Sequence, residues 1–575
     1  MNKIVVGKEC RFAIHLPFAY GEPDLHMVKE IVHYDDGTTE PKVSLIENFK
    51  RPVWITKPAF RNHKEKKECE DIDKLHEVYC TQDKLRNTVA GLLDKSWSKD
   101  SLRDLCVSPY IYGAEVTTTS FIKKFYKDRC PNLNTPFTVA VFDTETNTES
   151  AEGEIMIATL AMGSDVFVVA TEAFIGGITN SPDLIESAMT RYLGEVVEKR
   201  KIKLEYMVVH DEVALIQVIF KRLHELKPDL LAIWNMNFDI PKVISGLERA
   251  GVDPLNVLCD PAVPYHRRVA KYKEGKTKRV TASGVVKPIN IAERWHTLIA
   301  SSSFYVIDQM CLYKQLRITQ PNEPSYSLDS ILKKHKKQGK LKFIEADAFS
   351  GIKWHKFMST FYKIEYGVYN MYDCVGMQEL DEELKEMSHT LPAFAGITDF
   401  DKFNSNPRKI ADALFMFLLE NGSVIGTAGP GKPILNMFED DTANNYTDAE
   451  DEGEDEEGKD ENMNTLDLTG WIIMLPSHAV VRKGIVIFSD GIPGTSNIHG
   501  YVFDSDCVSA YPSVTEVCNV SKATTIREVI EMRTIDEAVF RLQNINLVSG
   551  AVNAVEYCTT MFNLPTLEKL LEDFH

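Results

Sequence analysis

The chain has 575 residues, 44% of them hydrophobic and 26% charged, enough for several cores and, as a soft prior, about three to four domains. No run of about 18 apolar residues occurs, and the N-terminus mixes charges into a short apolar run, so neither a spanning helix nor a signal-peptide layout is read. The formal charge of −19 argues against a nucleic-acid partner only until residues 439–461 are set aside. That tract holds 13 acidic residues and one lysine, net −12, which leaves −7 for the rest and room for a local basic footprint.

Residues 1–134 mix short strand-like runs ("PVWIT", "SPYIYG") with a charged segment read as helix ("DIDKLHEVY") and form a first, mixed α+β domain. From Thr135 the order becomes α/β. "TPFTVAVFDTE" is an apolar strand ending in acids, and "GEIMIATLAMG" and "DVFVVAT" alternate with period two. A helix follows at about 182–200, then the strand "YMVVHD", a helix at about 212–226, the strand "DLLAIWN" and a helix from Pro241 to about Ala250. This is a mixed sheet with helices on its faces. The eleven cysteines are scattered without a C-x-x-C pair, which fits reduced thiols in a cytoplasm. The acidic tract, 439–463 at its widest, has too few apolar residues to order itself; it reads as a solvated spacer or as a DNA-mimicking or docking insertion.

Asp143 and Glu145 end the first apolar strand at i and i+2, so both carboxylates aim at one face, as a shared divalent metal requires. A lone D-x-E is far more often an acidic strand end before a loop. The strand "LAIWNMNFD" brings Asn235 and Asp239 to a second strand end, where open α/β sheets gather ligands. In "YNMYD", within a helix of about 355–388, Tyr369 and Asp373 are i and i+4 on one face. Singly, Tyr369 reads as a core aromatic and Asp373 as a surface charge; four acids and one spaced tyrosine in this order do not.

These residues resemble the three motifs of DEDD-type 3′–5′ proofreading exonucleases. With "YVIDQMCLYKQLRITQPNEPSYSLDSILKKHKKQGKL" and "YNMYDCVGMQEL", residues of about 105–400 are similar to the exonuclease domain of family B DNA polymerases of the T-even-phage type. The resemblance implies a ribonuclease H-like domain over 135–388 and two Mg2+ or Mn2+ ions. Asp143 would bridge both, Glu145 and Asp373 would complete the first, and Asp239 would hold the second. All-oxygen ligands suit those ions. Tyr369 would orient the attacking water, and Lys340 would sit near the scissile phosphate, although Lys340 also reads as one more solvated lysine. Asn235 and Phe238 are the implied contacts to a single-stranded 3′ end. The basic stretch "VPYHRRVAKYKEGKTKRVTASGVV" (263–286), with Arg267 and Arg268, lies where the family carries a strand-separating β-hairpin; an ordinary solvated loop is the alternative.

"FDSDCVSAYPS" (503–513) resembles the Asp-x-x-Ser-Leu-Tyr-Pro-Ser motif of family B palms, with Ala510 in place of leucine. It makes Asp506, rather than Asp504, a metal ligand shared with a partner chain, and puts Ser509 and Tyr511 at the incoming nucleotide. No lysine-bearing fingers helix and no Asp-Thr-Asp-Ser turn follows. The resemblance therefore implies one chain of a split, phage-type DNA polymerase in the host cytoplasm. Residues 389–475 return to the N-terminal domain, and 476–575 form a partial palm with an apolar partner surface. A second polymerase chain, primer-template DNA, a sliding clamp and a single-stranded-DNA-binding protein are the implied partners. A stand-alone exonuclease, a non-catalytic DNA-binding scaffold and a truncated polymerase are the alternatives.

Overall fold

The computed structural model describes residues 3–387 apart from 65, 68, 98, 281–285, 318–319 and 337–338, together with residues 414–426, 479–482 and 485–488. The chain falls into two compact units, Met1–Thr465 and Leu466–His575. It is multidomain and mixed α/β.

The first unit opens with an antiparallel meander of β1 (Val5–His15), β2 (Leu25–Tyr34) and β3 (Thr39–Glu47). It continues with β4 (Arg51–Thr56), β5 (Cys69–Asp71), β6 (Leu75–Cys80), α1 (Leu85–Leu92), α2 (Leu102–Cys106), β7 (Ile111–Tyr112) and α3 (Thr118–Arg129). Strand β2 is buried from Leu25 to Val32 because both its faces are covered. Ala13 and Val28 pack with Ile122 of α3 on one side. Phe12, Ile14 and Met27 join Val141 and Tyr305 in one core on the other. The Phe12 and Tyr305 rings lie 4.1 Å apart. Residues 1–134 thus share a core with the main sheet. The segment "DIDKLHEVY", expected as helix, is a 3-10 turn and then strand β6, drawn into extended pairing by the buried β4. Its Val78 and Tyr79 favour that conformation.

The main sheet draws on β8 (Val139–Thr146), β9 (Ile155–Met162) and β10 (Asp165–Thr171), followed by α4 (Glu172–Ile175), α5 (Ser181–Arg200), β11 (Lys203–Val209) and α6 (Glu212–Leu226). Next come β12 (Leu230–Ile233), α7 (Met236–Arg249), α8 (Leu255–Leu258), β13 (Ala270–Lys273), β14 (Lys278–Val280), β15 (Val286–Pro288), β16 (Thr297–Ala300) and β17 (Tyr305–Asp308). The strand order is β11-β10-β9-β8-β12-β17. Strands β8, β9 and β10 run antiparallel in turn, while β12 and β17 run parallel to β8. Then come α9 (Gln309–Gln315), α10 (Leu328–Lys336), α11 (Ile352–Phe361) and α12 (Lys363–Leu384).

Period-two alternation divides the core between the two faces of the sheet. Val141, Ile157 and Val168 face α5, α10 and α12. Ala140, Phe142 and Ala158 face α6, α7 and α8. Helix α12 comes close to the sheet at Gly367, where a Cβ would stand 2.8 Å from Ile185 and 3.3 Å from Ile157. Three expected boundaries move. The helix expected at 355–388 is two helices broken at Tyr362. The helix expected from Pro241 starts at Met236, since Asn235 turns the chain with φ 68° and leaves Pro241 inside α7. Within 263–286, β13 pairs with β16, and the hairpin is β14 with β15.

Strand β18 (Ser423–Ile425) pairs with β5, and Met416 and Val424 pack with Trp54, Leu75 and Tyr112. In the second unit, β19 (Ala479–Arg482) and β20 (Ile485–Phe488) form an antiparallel pair. The acidic tract and Asp504, Asp506, Ser509 and Tyr511 lie outside the described residues. No helix among the described residues is long and apolar enough to cross a membrane.

Candidate metal centre

The alternation that builds the core continues past its apolar end. Asp143 and Glu145 leave β8 on the side of Val141, toward α12, and Thr144 leaves it on the side of Phe142, toward α7. Helix α12 answers with Tyr366, Tyr369, Asn370 and Asp373, spaced three, four and seven residues along one face. Carboxylate oxygens of Asp143, Glu145 and Asp373 all lie within 4.8 Å of one another. Thr144 reaches the other way and holds Asp239, which sits in the first turn of α7 rather than on a strand end. Its amide and hydroxyl donate to Asp239 Oδ1 at 3.1 and 2.6 Å.

Each carboxylate is aimed by a neighbour. Asn370 Nδ2 donates to Asp143 Oδ2 at 2.7 Å. The Thr159 hydroxyl donates to Asn370 Oδ1 at 2.6 Å, which fixes which end of that amide faces Asp143. Thr159 is the cross-strand partner of Asp143, so the register of β8 and β9 sets this contact. The Tyr366 hydroxyl donates to Glu145 Oε2 at 2.5 Å, and His355 Nδ1 lies 2.8 Å from that hydroxyl. Lys340 Nζ forms an ion pair with Asp373 and donates to the Tyr369 hydroxyl at 3.0 Å. Asp373 Oδ1 is buried with no hydrogen-bond partner.

Four carboxylates and one ammonium leave a surplus of negative charge, and the protons respond. Burial, then the charges of Asp239, Asp373 and Glu145, hold Asp143 well above the usual carboxylate range. Burial pushes Asp239 up to about 7 against the two Thr144 bonds. Burial pushes Asp373 up to about 6, with Lys340 pulling it back. Burial alone would lower Lys340, but Asp373, Tyr369 and Asp143 outweigh it and hold the ammonium well above its ordinary value. An all-oxygen set with excess negative charge and an unpartnered buried oxygen fits a hard divalent cation.

The site opens on a cleft of about 1270 Å³ whose lining includes Asn235, Phe238, Asp239, Tyr326 and Lys340. Phe238 is 46% exposed there. Asp308, at the end of β17, accepts from Met236 N at 2.8 Å and Cys311 N at 3.1 Å, so it caps α7 and α9 behind the cleft. Of the expected residues, Asp143, Glu145, Asp373, Tyr369 and Lys340 come together, with Asp239, Asn235 and Phe238 on the same cleft. Arg267 does not. It is 1% exposed and donates to Glu22 and to the carbonyls of Pro17 and Pro23, so its guanidinium is saturated inside the fold and presents no surface to a phosphate. Arg268 is directed likewise to Val263 O and Asn256 Oδ1. Tyr366, Asn370, His355, Thr144 and Asp308 were not singled out from the sequence; for Tyr366 and Asn370 the helical spacing to Asp373 was the available signal.

No protein-family model matches the chain, and no curated protein matches it at a significant level.

Proposed function

We propose that this cleft binds the 3′ end of a DNA strand and hydrolyses its terminal phosphodiester, as a proofreading exonuclease of the family B polymerase type. The observation that carries the reading is the convergence of Asp143, Glu145 and Asp373 within 4.8 Å, with Asp239 beside them. The order β10-β9-β8-β12-β17, antiparallel then parallel, supports a ribonuclease H-like core beneath it.

Asp143, Glu145 and Asp373 would hold one Mg2+ or Mn2+, and Asp143 with Asp239 a second. Two such ions supply positive charge to the attacking and leaving oxygens of an in-line displacement. The water oxygen bonds to phosphorus, the bond from phosphorus to the 3′ oxygen of the preceding residue breaks, and a 5′-mononucleotide leaves. Lys340 offsets charge that develops on the phosphate. Tyr369, whose hydroxyl already accepts from Lys340, positions the water and gains from fixed geometry rather than from a shifted proton. Phe238 offers an exposed ring for stacking a frayed terminal base. The hairpin of β14 and β15, with Lys278, Arg279 and Lys287, supplies positive charge for the strand that leads in.

The test is stepwise shortening of 5′-labelled single-stranded DNA in Mg2+. Asp143→Ala with Glu145→Ala is expected to remove several kcal/mol of transition-state stabilisation, about 10³-fold or more in rate. Full activity in the double variant, with unchanged circular dichroism, overturns the assignment.

The polymerase half of the proposal rests on Asp506, Ser509 and Tyr511 alone. It takes Mg2+ at Asp506 together with an aspartate from another polypeptide bearing Asp-Thr-Asp-Ser, and nucleotide at Ser509 and Tyr511. Primer extension on mixing the two polypeptides is the expected result. Extension that survives Asp506→Ala removes this half and leaves a stand-alone exonuclease.

A further inference from the structure

Far from the cleft along the chain, the β1–β2 hairpin carries a second cluster of ligating groups. His15 and His26 are directly opposed in the antiparallel register, so their side chains leave the sheet on one face. Their rings lie 4.8 Å apart. Asp24, two residues before His26, sends Oδ1 to within 2.7 Å of His15 Nε2. One ligating atom from each of the three residues lies within 4.8 Å of the other two.

Two observations point to a ligand rather than to an ordinary ion pair. His26 is fully buried, at 0% exposure, and neither of its ring nitrogens has a hydrogen-bond partner. A buried imidazole without partners is costly, and native interiors rarely keep one. The carboxylate, meanwhile, is already braced as metal-ligating carboxylates are. Asp24 Oδ2 accepts from the backbone amide of Gln82 at 3.0 Å, and Asn48 Oδ1 accepts from the Asp24 amide at 3.3 Å.

We propose that His15, Asp24 and His26 bind a transition-metal dication of the Zn2+ class. Two imidazoles and one carboxylate are a ligand set for Zn2+ rather than for Mg2+, which prefers oxygen alone. An ion about 2.0–2.1 Å from each donor needs tetrahedral ligands about 3.3 Å apart, so the His15–Asp24 contact opens by about half an ångström. His15 is the most exposed of the three side chains, at 19%, and would give the ion its access to solvent. The ion would clip the turn at residues 16–23. That turn carries Glu22, which accepts from His266 and Arg267. The site therefore fastens the hairpin that anchors the segment leading into β13.

The experiment uses the full chain carrying Asp143→Ala and Glu145→Ala, so that the three-carboxylate cluster of the cleft is broken. After chelator treatment it is titrated with Zn2+ by calorimetry and with Co2+ by visible absorption. One equivalent of Zn2+ and the strong visible bands of four-coordinate Co2+ are expected. His15→Gln and, separately, Asp24→Asn should each weaken uptake beyond the roughly 10–100-fold that loss of a supporting partner costs. Each replaces a proposed ligand, His15 part-exposed and Asp24 buried, and circular dichroism checks their fold. Failure to take up Zn2+, or uptake unchanged in His15→Gln and in Asp24→Asn, overturns the site. Neither result bears on the exonuclease, which lacks Asp143 and Glu145 in the test and is not the readout.

Discussion

Two buried charge clusters lie in the first unit, and they are built on opposite principles. Where β2 meets the main sheet, Asp229 is fully buried but answered. Lys29 Nζ stands 2.8 Å away, Arg11 Nε 3.6 Å away, and the Thr138 amide and hydroxyl both donate to Asp229 Oδ2. Lys29 also donates to the carbonyls of Lys227 and Pro228, so both charges are enclosed by partners. In the cleft, four carboxylates share one ammonium, and Asp143, Asp239 and Asp373 all hold their protons above the usual range. A balanced cluster is a joint between elements. An unbalanced one takes up protons or a cation from outside, and here the imbalance opens on a cleft.

The comparison breaks most sharply at its two lysines. Lys29→Met removes the main partner of a buried carboxylate and is expected to cost about 3–5 kcal/mol of stability. Hydrolysis per folded molecule should not change. Lys340→Met removes the one ammonium beside buried carboxylates, but these can take up protons instead, so its cost in stability should be smaller than that of Lys29→Met. Its effect should fall on the rate. Urea unfolding of both variants decides this, and equal destabilisation would erase the distinction between joint and site. A smaller effect is expected at Tyr366, which aims Glu145 without being a ligand. Tyr366→Phe should weaken Mg2+ activation of hydrolysis about 10–100-fold. An unchanged Mg2+ dependence would show that Glu145 needs no such support.

The same contrast explains how far these two regions were legible in the sequence. The cleft announced itself because β8 is a strand buried on both faces, whose continuous apolar run ends in Asp143 and Glu145, and because Tyr369 and Asp373 share a helix face. The joint did not. His26, Lys29 and Glu30 are buried polar residues in β2, and they break the period-two pattern that identifies a strand. The partners of Lys29, at Lys227, Pro228 and Asp229, stand some two hundred positions away, which no local pattern reports. Arg267 was misread for the same reason, since Glu22, which neutralises it, comes 245 positions earlier. The start of α7 was missed because Asn235 takes a left-handed turn that Asn tolerates but does not require. Asp239 therefore moved from a strand end to a helix, yet stayed on the same cleft because Thr144 holds it there.

Asp239 gives the finest test of the unbalanced cluster. Unfolded, its carboxyl loses its proton near 3.8; folded and without metal, it keeps that proton up to about 7. Between those limits the folded chain binds more protons than the unfolded one, so its stability falls as pH rises. Asp239→Asn is neutral throughout and still offers Oδ1 to Thr144. In chelator the variant should match the wild type near pH 4 and become the more stable protein by pH 7.5. Asp308, which burial pushes up to about 6, adjusts its own proton in response, which reduces the gap to on the order of 1 kcal/mol. With Mg2+ present the sign reverses, because ions bind the charged carboxylates of the wild type and stabilise it in proportion to their binding. Urea unfolding at pH 4.5, 6 and 7.5, with and without Mg2+, reads both effects. A difference independent of pH would mean that Asp239 is answered as fully as Asp229, and that the cleft holds no vacancy for a second ion.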